Sequence, residues 1–110
     1  FYTKNINNNV IKKPVSQHFI EHREQEHVWH LYTIETEFRE ELKRFLTAND
    51  IGTLIHYPVP PHLQECYKKH GWTGYPVTER VSQRIISIPI WPGLTDKEVR
   101  YVVRKINAFA

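Results

Sequence analysis

The sequence predicts an α+β domain: a small antiparallel sheet of about three strands with helices packed on it. Three observations point there. Two β-branched and aromatic runs, "HVWHLYTIE" (27–35) and "IISIPI" (85–90), read as strands. Two other stretches carry a helical period, with Phe38, Leu42, Phe45 and Leu46 on one stripe and Val99, Val102, Val103 and Ile106 on another. At 110 residues and 40% hydrophobic content, the chain can bury one core and is composed as a globular protein.

Each element has a local reason. Residues 1–26 alternate polar runs with apolar islands: "NINNN" (5–9) is turn-forming, because asparagine tolerates left-handed backbone. "VIKKPV" (10–15) allows a short edge strand broken by Pro14, and "HREQE" (22–26) reads as a charged loop. The 27–35 strand is largely apolar on both faces, as a central strand would be. The helix over 37–49 ends near Asn49-Asp50, and Gly52 lets the chain turn into a third strand, Thr53–Tyr57, stopped by Pro58.

Pro60-Pro61 preset a helix through "HLQECYKKHG", with Gly71 as its stop. After the loop "WTGYP", Thr78 can cap a helix running to Arg84, with Val77, Val81 and Ile85 inward. Pro89 puts "IISIPI" at a sheet edge or a strand end. Thr95 and Glu98 form a capping box, with Leu94 stapled against Val99, and Phe109 extends the apolar side of the last helix.

Composition excludes several function classes. The formal charge is +3 with a pI near 9.1, but acids and bases nearly alternate from Glu35 to Arg44, which is a solvated helix face rather than a nucleic-acid patch. Lys97, Arg100, Arg104 and Lys105 lie mostly opposite the valine stripe, again as a solvated face. No apolar run approaches the roughly 18 residues of a membrane helix, and no signal-peptide pattern is visible. Neither nucleic acid nor a membrane is therefore expected as a partner.

The single cysteine, Cys66, excludes an internal disulfide and suits a reducing, cytoplasmic setting. Lacking a nearby base, it reads as a half-buried packing residue. Seven histidines raise the question of a metal. His18 and His22 have no third ligand, and His27 and His30 on a strand point to opposite faces, so no metal site is expected. The four glycines (52, 71, 74, 93) are isolated, which leaves no phosphate-cradling loop. The chain has no methionine and opens on Phe1-Tyr2, as an excised or processed piece would.

One stretch stands out for function: "TLIHYPVPPHLQ" (53–64) ends an apolar strand with His56 and Tyr57 and then stiffens the backbone with Pro58, Pro60 and Pro61. An imidazole and a phenol are good partners for hydroxyl-rich ligands, and prolines hold them in place before binding. The residues alone leave two readings open, a ligand-facing rim or a rigid turn that contains a histidine and a tyrosine. For both side chains to face one ligand, the backbone must kink before Pro58.

Taken together, "EHVWHLYTIETEFREELKRFLTANDIGTLIHYPVPPHLQECYKKHG" and "YPVTERVSQRIISIPIWPGLTDKEVRYVVRKIN" resemble the C-terminal segment of the DegT/DnrJ/StrS family. These are pyridoxal-phosphate-dependent aminotransferases of nucleotide-linked keto sugars. The resemblance covers residues 26–110, implying the small domain of a fold-type-I aminotransferase; residues 1–25 match weakly, as a lead-in from the large domain. It implies that His56 and Tyr57 contact the hexose, with no role carried over for His62 or Gln64 beyond proximity.

The same resemblance implies a parent enzyme that binds pyridoxal 5'-phosphate, takes an amino group from glutamate and aminates a dTDP-linked keto-6-deoxy sugar. The family's active site lies between the two domains, at a homodimer interface. The family's Schiff-base lysine, the acidic partner of the pyridine nitrogen and the phosphate-binding residues belong to the large domain. The segment alone is therefore expected to bind no cofactor, to contain no catalytic residue and to be inactive. The alternative from another class is a free-standing α+β binding module without catalytic activity.

Overall fold

The computed structural model describes residues 1–15, 17–23 and 26–109, leaving aside the side chains of residues 17, 18 and 20. In chain order the elements are α1 (Tyr2–Asn5), α2 (Gln17–His22), β1 (Tyr32–Glu35), α3 (Arg39–Thr47), 3-10 helices at Pro61–Leu63 and Glu65–His70, α4 (Pro76–Arg84), β2 (Ile85–Ile88) and α5 (Asp96–Ala108). The α+β class holds.

β1 and β2 pair antiparallel, with Tyr32 opposite Ile88, Thr33 opposite Ser87, Ile34 opposite Ile86 and Glu35 opposite Ile85. Because side chains alternate along a strand, Tyr32, Ile34, Ile86 and Ile88 share the core face. Leu42 and Leu46 of α3 and Val102, Val103 and Ile106 of α5 close over them. Ile34, Leu42, Leu46, Ile86 and Ile106 are all completely buried. Tyr2, Ile6 and Ile11 belong to the same cluster, so the first residues of the chain pack into this core.

The sheet is smaller than the sequence predicts. The expected third strand at 53–57 is reduced to one bridge, Leu54 to Ser87, and the "VIKKPV" edge to another, Lys12 to Glu35. Proline supplies the physical reason at the first: with Pro58 and Pro60 close behind, the segment pairs only once before it must leave. β2 is thus interior, flanked by β1 and Leu54, and Pro89 falls just past its end, where a missing N–H breaks no ladder bond.

The strand predicted from His27 begins only at Tyr32. Trp29 takes φ +45° and donates its N–H to His27 Nδ1 at 2.9 Å, so a local side-chain turn replaces extension. Val28 is left 95% exposed. α4 begins at Pro76, not Thr78, because proline suits a helix's first position; Val77 then points outward. α5 starts as expected, with the full Thr95–Glu98 capping box. The "HREQE" loop falls partly on residues 24 and 25, outside the described residues.

Between Tyr57 and Thr78 the chain forms an arm in which only Pro60 and His62 are buried. The Cα radius of gyration is 15.5 Å, against about 13 Å for a packed domain of this length.

Candidate functional site

His56 sits where the Leu54 bridge releases the chain. Ser87 exchanges both backbone bonds with Leu54 (2.7 and 3.2 Å), so its N–H and C=O point away from β1. Thr33 and Ser87 are then a non-hydrogen-bonded cross-strand pair, the kind whose side chains approach most closely. Their hydroxyls lie 3.0 Å apart, and the Ser87 hydroxyl also bonds His56 Nδ1 at 2.9 Å. Ser87 is buried, while the imidazole is half-exposed and its Nε2 has no partner among the described residues.

Tyr57 is 68% exposed. In an extended trans strand its ring would point away from that of His56. The His56–Tyr57 peptide is cis, and the two rings meet edge to face at 5.7 Å. Neither ring is sunk in the interior.

His56 lines a groove of about 1060 Å³ that runs between the 50–54 segment, the end of β2 and α5. Leu54, Ile90, Trp91 and Leu94 give it apolar walls, and Lys97, Arg100 and Arg104 of α5 stand on its rim. The sequence reading assigned these three cations to a solvated face; they are exposed, but on the groove side. Arg100 also stacks on Phe1 at 5.1 Å and Arg104 on Tyr101 at 5.2 Å. Thr53 Oγ1 in the wall is buried, with no hydrogen-bond partner among the described residues. Tyr57 stands outside the groove lining.

His62 is the residue that sequence reasoning passed over. Its buried ring donates from Nε2 to Glu79 Oε1 at 3.0 Å and packs on Tyr75 at 4.8 Å. The same carboxylate oxygen accepts the Tyr75 N–H at 3.3 Å, tying the proline turn to the start of α4. Pro61 at the 3-10 N-terminus was legible, but a partner 17 residues away was not.

Other sequence candidates separate from the site. Cys66 is exposed in a 3-10 helix, a correction to its half-buried assignment: the 3-10 segment has no buried face. His27 and His30 are exposed ahead of β1. The His18 side chain lies outside the described residues, and among those described no three His, Cys, Asp or Glu side chains cluster as metal ligands. No described helix is long and apolar enough to cross a membrane.

Pyridoxal phosphate calls for a sheltered lysine amine and an acid facing the ring nitrogen. The eight lysines here are exposed or half-buried. Lys12 and Lys68 pair with Glu35 and Glu65, Lys13 caps the carbonyls of Thr3 and Ile6, and Glu98 at the groove is engaged in its cap. This donor set does not fit the cofactor.

Comparison with known proteins places the chain. Residues 1–107 match the model of the DegT/DnrJ/EryC1/StrS aminotransferase family. Over 109 residues the chain is 33% identical to dTDP-3-amino-3,6-dideoxy-alpha-D-galactopyranose transaminase of Aneurinibacillus thermoaerophilus, covering 99% of this chain and 29% of that protein. It is 33% identical to GDP-perosamine synthase of Escherichia coli O157:H7, covering 91% of this chain and 29% of that one. Among solved structures, S. venezuelae DesV in complex with a ketimine intermediate superposes with a TM-score of 0.82 at 31% identity, covering 97% of this chain and 28% of that one. The chain thus spans under a third of the length of these relatives. The family match leaves the free-standing binding module without support. With sequence and fold in agreement over nearly its whole length, this chain belongs to the DegT/DnrJ/EryC1/StrS aminotransferase family.

Proposed function

We propose that residues 26–110 are the C-terminal small domain of a pyridoxal-phosphate-dependent aminotransferase acting on a nucleotide-linked keto-6-deoxy sugar, and that His56 and Tyr57 are its sugar contacts. Residues 1–25 bring the chain in from the large domain. A dTDP-linked substrate is favoured by the names of two relatives: the Aneurinibacillus transaminase, and dTDP-3-amino-3,4,6-trideoxy-alpha-D-glucose transaminase of Streptomyces venezuelae, 38% identical over 85 residues.

One observation carries the reading. The His56 imidazole is held at Nδ1 by buried Ser87, with Nε2 unpartnered, at the groove edge and beside the exposed Tyr57 phenol. Two amphoteric rings fixed in advance at a sheet rim can orient a hydroxyl-rich ring without ordering flexible side chains. The groove's apolar walls, cationic rim and orphaned Thr53 hydroxyl suit a face that the large domain or substrate covers.

The division of labour follows. The missing part of the parent supplies the cofactor and its lysine, and the cofactor when bound supplies the electron sink for moving the amino group. This chain supplies orientation only, so the segment by itself is inactive. The parent takes its amino group from glutamate, works as a homodimer, and resides in the cytoplasm, which the lone exposed thiol Cys66 suits.

The test is His56→Ala in the full-length parent, with the two half-reactions followed separately. The sugar half-reaction should lose about tenfold or more in kcat/KM, the effect of removing one ligand-directed hydrogen bond, while the glutamate half-reaction holds. Equal loss in both halves would overturn the assignment.

A further inference from the structure

We infer that Thr33 and Ser87 are positioning residues that hold His56 as an Nε2–H donor toward an acceptor oxygen of the ligand. The inference rests on the reading of His56 as a sugar contact and deepens it.

The hydroxyl of Thr33, that of Ser87 and Nδ1 of His56 form a three-membered chain with links of 3.0 and 2.9 Å. A proton can run along it in either of two senses. If His56 carries its proton on Nδ1, it donates to Ser87, Ser87 donates to Thr33, and the Thr33 O–H points at nothing within the chain. If the proton is on Nε2, Thr33 donates to Ser87, Ser87 donates to Nδ1, and every hydroxyl hydrogen is used. Ser87 is buried and Thr33 half-buried, so the sense that satisfies both hydroxyl hydrogens within the relay is favoured over the one that leaves the Thr33 O–H to find solvent. Nε2 then faces outward as N–H, ready for a carbonyl, hydroxyl or phosphate oxygen but not for a donor.

The arrangement is built into the sheet. Ser87 cannot swing away, because its N–H and C=O are both committed to Leu54 on the side that carries His56 two residues on. Thr33 is fixed opposite by the β1–β2 register. A residue whose backbone and hydroxyl serve two neighbouring chain segments sets both the position and the tautomer of the ring it touches.

The experiment is a double-mutant cycle in the full-length parent holoenzyme, with His56→Ala, Ser87→Ala and the pair together, plus Ser87→Thr as the hydroxyl-retaining variant. Ser87→Ala should lower kcat/KM for the sugar half-reaction by about tenfold, one hydrogen bond's worth, and leave the glutamate half-reaction unchanged. Added to His56→Ala it should cost nothing further, and Ser87→Thr should restore most of the loss. In parallel, histidine-selective 15N NMR should show His56 Nδ1 unprotonated in the parent, with that tautomer preference lost in Ser87→Ala. A full additional loss in the His56→Ala background, or a Nδ1-protonated ring in the unmutated protein, would overturn the inference. If His56→Ala spares the sugar half-reaction while the NMR shows the relay intact, the sugar-contact reading falls and the tautomer assignment stands.

Discussion

The core and the arm of this chain are stabilised by different means. In the core, β1, β2, α3 and α5 contribute residues with no exposed surface, among them Ile34, Leu46, Ile86 and Ile106. In the arm, from Tyr57 to Thr78, Tyr67 and Trp72 are exposed and stack on each other at 5.6 Å, while Tyr57, Leu63 and Tyr75 are exposed as well. Burial of apolar area stabilises the first; a small set of directed contacts, chiefly His62 to Glu79, holds the second. A sealed core thus carries a largely exposed segment held by a few side-chain contacts.

The sharpest way to break this contrast is to cut one aliphatic side chain from each region. Leu46→Ala should destabilise the 110-residue chain by about 2–5 kcal/mol, the range for a leucine removed from a sealed core. Val77→Ala in the arm, at a residue 64% exposed, should cost under roughly 0.5 kcal/mol. Urea unfolding of both variants measures the difference. Comparable losses would show that the arm shares the core's packing.

A second, smaller effect appears on titration. Tyr2 packs against Tyr32 with ring centroids 5.1 Å apart and donates its O–H to Pro89 O at 2.7 Å. Burial first, and the neighbouring Tyr32 phenol second, push the Tyr2 hydroxyl up to about 12. The folded value is raised, so its contribution is fully present below the ordinary value near 10 and is lost as pH climbs toward 12. The loss should reach roughly 2–3 kcal/mol at the upper end. Tyr2→Phe should flatten that part of the stability profile. An unchanged slope between pH 10 and 12 would mean that the Tyr2 hydroxyl is not sealed.

The same contrast explains what was legible. Periodic apolar spacing identified α3 and α5 because burial repeats with the helix, and the capping box was readable because its partners are three residues apart. The 27–31 lead into β1 was misread, since an imidazole that captures the Trp29 N–H competes with extension and leaves no periodic trace. The arm was read as one continuous helix: "HLQECYKKHG" instead lies in two 3-10 helices interrupted at Gln64, with no buried stripe to favour an α-helical period. At the site, His56 and Tyr57 were conspicuous beside three prolines. Ser87, which fixes one of them, comes from 31 residues further along the chain and only the register of the sheet brings it there.

His62→Ala tests how the arm is held. Removing the ring takes one of the two donors from Glu79 Oε1, which keeps the Tyr75 N–H, and removes the ring contact on Tyr75, at a cost of about 1–2 kcal/mol. The expected result is local: amide exchange at Leu63 and Gln64, whose N–H groups bond Pro60 and Pro61 carbonyls, should quicken while the main unfolding transition barely moves. A shift of the whole transition would make the His62–Glu79 pair part of the core.

The smallest effect belongs to the N-terminus of α5, which borders the groove yet belongs to the core. Thr95 Oγ1 accepts the Glu98 N–H at 3.3 Å, while Glu98 Oε2 accepts from the Thr95 N–H at 2.8 Å and from its hydroxyl at 2.6 Å. The hydroxyl bond, followed by the backbone bond, holds the Glu98 carboxyl below its ordinary range. A lowered folded value means that the contribution is present above the ordinary carboxylate range and disappears as pH falls through the folded value. Thr95→Ala removes the hydroxyl and should cost about 1 kcal/mol near neutrality. The gap from the unmutated chain should narrow in acid, when the carboxyl is protonated and its bonds to Thr95 weaken in both the folded chain and its variant. Unfolding at neutral and acid pH, run on both proteins, measures the two gaps. A gap independent of pH would show that Thr95 caps through its own oxygen alone, with the Glu98 return bond contributing nothing.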